Sequence, residues 1–236
     1  MAKDYFNFKQ FTIHQQRCAM KVGTDGTLLG AWAQVPFEQC RILDIGTGTG
    51  LIALMMAQRF PESSVVGVDI DADAVAQATA NVMESPFLKR VYISLVDVKQ
   101  LTDTDGFDAI VCNPPYFIDS LTCPNKQRTT ARHAITLSFE TLLQSASRLL
   151  NNDGLLSLIL PSESISRFES TARHEGFFPS RICRVKTTPQ KSPMRQLIEY
   201  RKQPVNELYI SEEVIEISPN VRSPWYQSLT QAFYIK

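Results

Sequence analysis

One stretch limits the folds open to this chain more than any other. Ile42-Leu43-Asp44-Ile45 is a short apolar run, Gly46-Thr47-Gly48-Thr49-Gly50 is a turn with glycine at every second place, and Leu51 to Arg59 reads as a buried helix. Glycine reaches backbone conformations closed to other residues, so the turn can be tight and another group can approach its backbone closely. A strand passing straight into a helix in this way belongs to an alternating α/β chain. The rhythm continues. Val65 to Asp69 reads as the next strand and Asp73 to Glu84 as the next helix; Val91 to Val96 is a third strand, ending at Asp97. Residues 107–112 form the fourth strand, and Ser138 to Leu150 carries apolar residues on one face at Phe139, Leu142, Leu143, Ala146 and Leu149. Asn152-Asp153-Gly154 reads as a turn into the strand Leu155 to Leu160, and Ile165 to Glu175 as a helix closed by Gly176. Residues 177–186 and 196–202 have no helix between them and are expected to pair antiparallel at one edge. The prediction is a doubly wound α/β sheet, mostly parallel, with an antiparallel edge hairpin. Residues 1–36 are expected to form an N-terminal extension packing on the ligand site, and residues 37–236 the main domain.

Composition narrows the class without naming it. A chain of 236 residues, 44% hydrophobic and 20% charged, is long enough to bury a substantial core and has ordinary globular composition. The best apolar run, Leu51 to Ala57, is seven residues, far short of a membrane span. Met1 to Tyr5 lacks the apolar core of a signal peptide. Five scattered cysteines (Cys18, Cys40, Cys112, Cys123, Cys183) show no metal or disulfide spacing. The expectation is a reduced, cytoplasmic protein with no metal. Lys plus Arg and Asp plus Glu both number 24, but the charges segregate. Residues 1–24 hold Lys3, Lys9, Arg17 and Lys21 against Asp4; residues 120–136 hold Lys126, Arg128, Arg132 and His133 with no acid; residues 181–202 hold seven cations against Glu199. A polyanion would be met where these segments converge, and solvated surface is the fair alternative.

In doubly wound sheets ligands bind beyond the carboxyl ends of the strands, at the point where strand order reverses. Asp44 stands at the end of the first strand, with Gly46, Gly48 and Gly50 beside it. Asp69 ends the second strand, where a carboxylate can accept both hydroxyls of a ribose, and Asp97 ends the third, placed for an adenine amino group. Gly48 to Ala53 also satisfies the looser dinucleotide pattern, which raises a nicotinamide oxidoreductase as a rival. No residue pattern suggests hydride transfer, and the fourth strand ends differently, in Asn113-Pro114-Pro115-Tyr116. Consecutive prolines cannot donate backbone hydrogen bonds and hold the residues before them extended. The tip is stiff, and it presents an amide side chain, unladdered carbonyls and an aromatic ring, the parts needed to grip a planar group bearing an NH2. Earlier in the chain, Gly23-Thr24-Asp25-Gly26 reads as a turn before a short helix through Leu28, Leu29 and Trp32; its N–H groups suit a carboxylate or phosphate, and an ordinary capped helix explains them too.

Asp44 to Gly50, Val68-Asp69 and Asn113 to Tyr116 together resemble the motifs of S-adenosylmethionine-dependent amino-group methyltransferases. Phe8-Lys9-Gln10-Phe11, Arg17 to Gly26 with Leu28 to Trp32, and Leu229 to Tyr234 are similar to segments of the tRNA1(Val) (adenine-37-N6)-methyltransferase family. The resemblance implies a Rossmann-like methyltransferase sheet and S-adenosylmethionine as cofactor. Its binding residues would be Thr24, Asp25, Asp44, Gly46, Gly48, Gly50, Asp69 and Asp97, with Asn113, Pro114 and Tyr116 catalytic. The implied partner is tRNA at its anticodon loop. Phe117 would join Tyr116 in stacking on the base, and Arg128, Arg132 and His133 would meet phosphates, although surface salt bridges are as good an account of those three. Guanine N2 in ribosomal RNA, a glutamine of a release factor, and a catalytically silent RNA-binding module on the same fold stay open as alternatives.

Overall fold

The computed structural model describes residues 4–18, 21–114 and 137–235. The chain begins with a small hairpin, β1 (Tyr5–Asn7) and β2 (Thr12–His14), followed by helix α1 (Thr24–Trp32). The alternating part runs β3 (Arg41–Ile45), α2 (Leu51–Arg59), β4 (Ser64–Asp69), α3 (Ala72–Met83), β5 (Val91–Leu95), β6 (Phe107–Cys112), α4 (Phe139–Leu149), β7 (Leu150–Pro161) and α5 (Ile165–His174). Strands β8 (Phe178–Lys186), β9 (Arg195–Arg201) and β10 (Tyr209–Val214) follow, then a short hairpin, β11 (Glu216–Ser218) and β12 (Val221–Arg222), and helix α6 (Pro224–Thr230).

Eight strands make one sheet in the order β10-β8-β9-β7-β6-β3-β4-β5. The chain steps outward from β3 through β4 to β5, then returns to lay β6 and β7 on the other side of β3. From β5 to β7 every pairing is parallel, while β9 runs antiparallel to both β7 and β8. The order therefore reverses between β3 and β6, and their carboxyl ends, Ile45 and Cys112, open the crevice where such folds bind ligands.

Burial explains the apolar runs. Ile42 faces a core shared with α1, α2 and the N-terminal hairpin, whereas Leu43 and Ile45 face a second core with α4 and α5. A strand covered on both faces needs apolar residues at successive positions. The helix starts are set locally as well: Ser138 accepts from the Thr141 N–H, and Asp71 from that of Asp73.

Two expectations meet a different local geometry. The Asn152-Asp153-Gly154 turn is absorbed into β7. Phe107 pairs with Leu150 and Ala109 with Leu155, so the surplus residues leave the ladder as an irregularity within one strand. The β8–β9 hairpin stands one strand in from the edge, because β10 adds to β8 in parallel.

Candidate active site

The glycine turn is held from β4 and from within itself. Gly46 and Thr47 donate their N–H groups to the Val68 carbonyl at 2.9 and 3.0 Å, and the Gly50 N–H reaches the Thr47 carbonyl at 2.9 Å. Gly46, Gly48 and Gly50 have φ of +71°, +56° and +80°, a region that penalises any Cβ. A Cβ on Gly46 would meet nothing within 4 Å, whereas one on Gly50 would press on Ala78 at 3.3 Å. Gly46 and Gly48 thus line the crevice, and Gly50 lies beneath it as the N-cap of α2.

Asp44 is fully buried behind this turn. Its Oδ2 accepts from the Thr47 hydroxyl at 2.7 Å and from the Ala53 N–H at 3.1 Å, so it shapes the turn and joins it to α2. Its Oδ1 is buried with no hydrogen-bond partner among the described residues. Burial pushes the carboxyl up to about 7, against the pull of the Thr47 and Ala53 bonds, with Asp69 adding a smaller push upward.

Asp69 reaches the crevice itself. Its Oδ2 accepts from the Gly48 N–H at 2.9 Å and its Oδ1 from the Asp71 N–H at 3.0 Å, which fixes the carboxylate at the end of β4. Asp97 lines the same space, with Oδ1 accepting from the Lys99 N–H and Oδ2 3.0 Å from the Lys99 ammonium. Asn113 closes the acceptor side at the end of β6, and Pro114 is buried next to it. Together these groups bound a cavity of about 230 Å³.

Sequence reasoning did not single out several walls of this cavity. Ile70 and Val98 each follow a strand-end aspartate, and Ile70 stays 49% exposed, an apolar side chain at a crevice mouth. That position was the available signal. Cys18, Leu137 and Thr141 arrive from the head and from the start of α4, and only the tertiary structure brings them in. Other expected residues lie elsewhere. Thr24 is exposed and not part of the cavity wall, and Asp25 pairs with the Arg195 guanidinium at 2.5 Å. Burial raises the Asp25 carboxyl while Arg195 opposes the rise. Tyr116, Phe117, Arg128, Arg132 and His133 lie outside the described residues.

The cavity suits a nucleoside. Two side-chain-free glycines give backbone access, Asp69 offers acceptor lone pairs for a ribose, and Ile70 and Val98 give apolar surface for a flat base. Among the described residues the buried Asp44 Oδ1 is an unused acceptor, on the carboxylate that holds Thr47 of the glycine turn. Among the described residues no cluster of His, Cys, Asp and Glu is placed to hold a metal, and no helix is long and apolar enough to cross a membrane.

Strand order, glycine cradle and acidic strand ends define a Rossmann-like, S-adenosylmethionine-dependent methyltransferase. The Methyltransferase small domain model matches residues 25–167. Across its full length the chain is 48% identical to the tRNA1(Val) (adenine(37)-N6)-methyltransferase of Phocaeicola vulgatus, the match covering 100% of this chain and 99% of that one. Proteins of the same name from Bacteroides thetaiotaomicron and Flavobacterium johnsoniae are 44% and 39% identical, covering 100% and 98% of this chain and 99% of each relative. The chain belongs to the tRNA1(Val) (adenine(37)-N6)-methyltransferase family. Among solved structures, an Agrobacterium tumefaciens protein described as a predicted O-methyltransferase superposes with a TM-score of 0.70 at 20% identity, covering 89% of this chain and 96% of that one. A S-adenosylmethionine-dependent methyltransferase from Corynebacterium glutamicum gives 0.51 at 20% identity, covering 77% and 89%. These two speak to the fold alone.

Proposed function

We propose that this protein transfers the methyl group of S-adenosylmethionine to N6 of adenine 37 in the anticodon loop of tRNA1(Val). One observation carries the reading: Asp69 and Asn113, from strands on opposite sides of the switch point, face a single cavity in a chain related over its whole length to enzymes of that name. The cofactor supplies an electrophilic methyl on a sulfonium. Asp69 would accept the ribose hydroxyls and Asp97 the cofactor's adenine amino group, with Ile70 and Val98 on the faces of that base.

The acceptor's amine is a poor nucleophile because its lone pair is delocalised into the ring. The Asn113 side-chain oxygen and the Pro114 carbonyl would accept its two hydrogens and favour a pyramidal nitrogen. Those bonds strengthen as positive charge grows on nitrogen, so they act on the transition state. A neutral amide does this beside a cation without titrating near pH 7. Tyr116 and Phe117 would stack on the base, and Arg128, Arg132 and His133 would hold flanking phosphates. A loop adenine is cheap to extrude, being already unpaired. The cavity thiols stay out of the reaction: burial, reinforced by nearby aspartates, raises Cys18 to about 11 and Cys112 well above an ordinary thiol. Neither offers a thiolate to compete for the methyl group.

The test is methyl transfer from labelled cofactor to an unmodified tRNA1(Val) transcript, followed by nuclease digestion. N6-methyladenosine at position 37 is expected, and Asn113→Ala should lower kcat by about 10²–10³ while calorimetry shows cofactor affinity retained. No label in tRNA, with strong labelling of ribosomal RNA guanine or release-factor glutamine, would overturn the assignment. Loss of cofactor affinity in Asn113→Ala would overturn the role given to that residue.

A further inference from the structure

The seven cations of residues 181–202 form one cluster in the sequence, and strand direction divides them. Arg181 pairs with Glu199 at 3.0 Å, Lys186 with Glu212 at 2.5 Å and Arg195 with Asp25 at 2.5 Å, while the Lys202 ammonium is bonded to the Leu150 carbonyl. Among the described residues Arg184, Lys191 and Arg201 have no carboxylate partner. Arg201 ends β9 and so stands at the amino edge of the parallel strands, away from the crevice. Arg184, near the end of β8, and Lys191, in the loop joining β8 to β9, stand at the crevice edge and are exposed.

The sheet register places that loop relative to the acceptor site. Cys112, Leu158, Ile198 and Ile182 lie level across β6, β7, β9 and β8. Beyond that level β7 continues to Pro161, paired with Arg195, which in turn pairs with Val185. The hairpin therefore rises about 10 Å above the level of Cys112 before its loop begins, with β9 roughly 10 Å and β8 roughly 14 Å sideways from β6. Its loop stands at the same end of the sheet as Asn113, on the β7 side of β6.

The loop's base is pinned and its crown is open. The Met194 N–H donates to the Val185 carbonyl and its carbonyl accepts from Ser162, both at 3.1 Å, while the Thr187 carbonyl accepts from the Glu216 N–H at 2.9 Å. Pro189 and Pro193 stiffen the crown, and no acid occurs between Thr187 and Ile198. Exposed Gln190, Lys191 and Ser192 present one cation flanked by neutral hydrogen-bonding groups. That is the chemistry of a phosphodiester contact: a charge to neutralise the phosphate and neutral donors to set register.

We infer that the β8–β9 loop, through Lys191 and with Arg184 at its base, grips the RNA backbone beside the nucleotide being methylated. The inference rests on the tRNA reading above and adds a contact that orients the substrate without touching the reacting atoms. Binding of unmodified tRNA1(Val) transcript should be measured by fluorescence anisotropy across a salt series, with methyl transfer followed in parallel. Lys191→Glu is expected to weaken tRNA binding about tenfold and to reduce the slope of log K against log salt by about 1. It should raise KM for tRNA with kcat nearly unchanged, and Lys191→Arg should restore binding. Arg184→Glu should act in the same direction, and Arg201→Glu, at the opposite edge, should not. Unchanged binding and salt slope in Lys191→Glu would overturn the loop's role while wild-type methylation left the functional reading standing. Equal weakening by Arg201→Glu would mark a bulk charge effect and overturn it too. A wild-type protein that neither binds nor methylates tRNA would overturn the functional reading itself.

Discussion

Asp44, one residue before the end of β3, and Asp69, at the end of β4, do different work, and the difference lies in which oxygen meets which neighbour. Both oxygens of Asp69 are held by backbone N–H groups at the crevice, whereas Asp44 spends one on Thr47 and Ala53 and buries the other without a partner among the described residues. The raised carboxyl of Asp44 has a consequence for stability. Its ordinary value is 3.8 and the folded value is about 7, so between those values the folded chain binds more protons than the unfolded chain. Its contribution therefore favours folding at low pH, declines as pH rises from about 4 to 7, and is level above that. Asp44→Asn should lose less stability between pH 5 and pH 8 than the wild type in urea unfolding of the cofactor-free protein. Parallel pH slopes would show that Asp44 does not titrate in this range.

Helix α1 illustrates how one element is placed by its neighbours. Seven of its residues, Gly26 to Trp32, are buried, so it has no solvent face to give a one-sided pattern. Its C-terminal carbonyls at Gly30 and Ala33 accept from the Arg59 guanidinium, the Arg181 guanidinium lies 3.7 Å from the centre of the Trp32 ring, and its first turn is tied to β9 through Asp25 and Arg195. The close approach to α2 occurs at Gly30, where a Cβ would fall 2.8 Å from the Met55 Sδ and 2.9 Å from its Cβ. Two effects compete in Gly30→Ala. Alanine gains about 1 kcal/mol of helix propensity, and overpacking costs about 1–3 kcal/mol. Because the Met55 Cβ cannot move without its backbone, the clash should win, with a net loss of about 1 kcal/mol in urea unfolding. A neutral or stabilised variant would show that the two helices separate easily. Gly30 was legible as part of a short helix and not as a contact point, because nothing local specifies what faces it.

At the scale of the whole molecule the two ends of the chain close one core. The Lys9 N–H donates to the Phe233 carbonyl at 2.8 Å, Phe8 bridges to Tyr234, and Phe8 and Tyr234 rings stack at 5.9 Å. Phe233 is buried at 1% exposure in the same core as Phe8, Phe11, Leu54 and Ile42. The head also reaches the crevice indirectly: the Asn81 side chain bonds to the His14 backbone and to the Thr49 carbonyl, at 2.9 Å each. Phe233→Ala should therefore destabilise the whole protein, by about 3–5 kcal/mol, in one cooperative transition followed by far-ultraviolet circular dichroism. A separate early transition, with the main transition unmoved, would show that head and tail fold independently of the sheet.

The sequence by itself determined the alternation of strands and helices, the glycine turn and the row of acids and amide at strand ends. These are local properties: backbone freedom at Gly46 and Gly48, apolar runs of strand length, and prolines that stop a strand. Only the tertiary structure decided which of those groups face the crevice. Asp69 and Asn113 line the crevice while Asp44 and Gly50 lie beneath it, and Asp25 is paired with Arg195, 170 residues away. The same packing brings Cys18 and Thr141 to one cavity and sends Lys191 and Arg201 to opposite edges of the sheet. Strand direction and long-range pairing set which end and which face a side chain occupies, and no window of neighbouring residues encodes either.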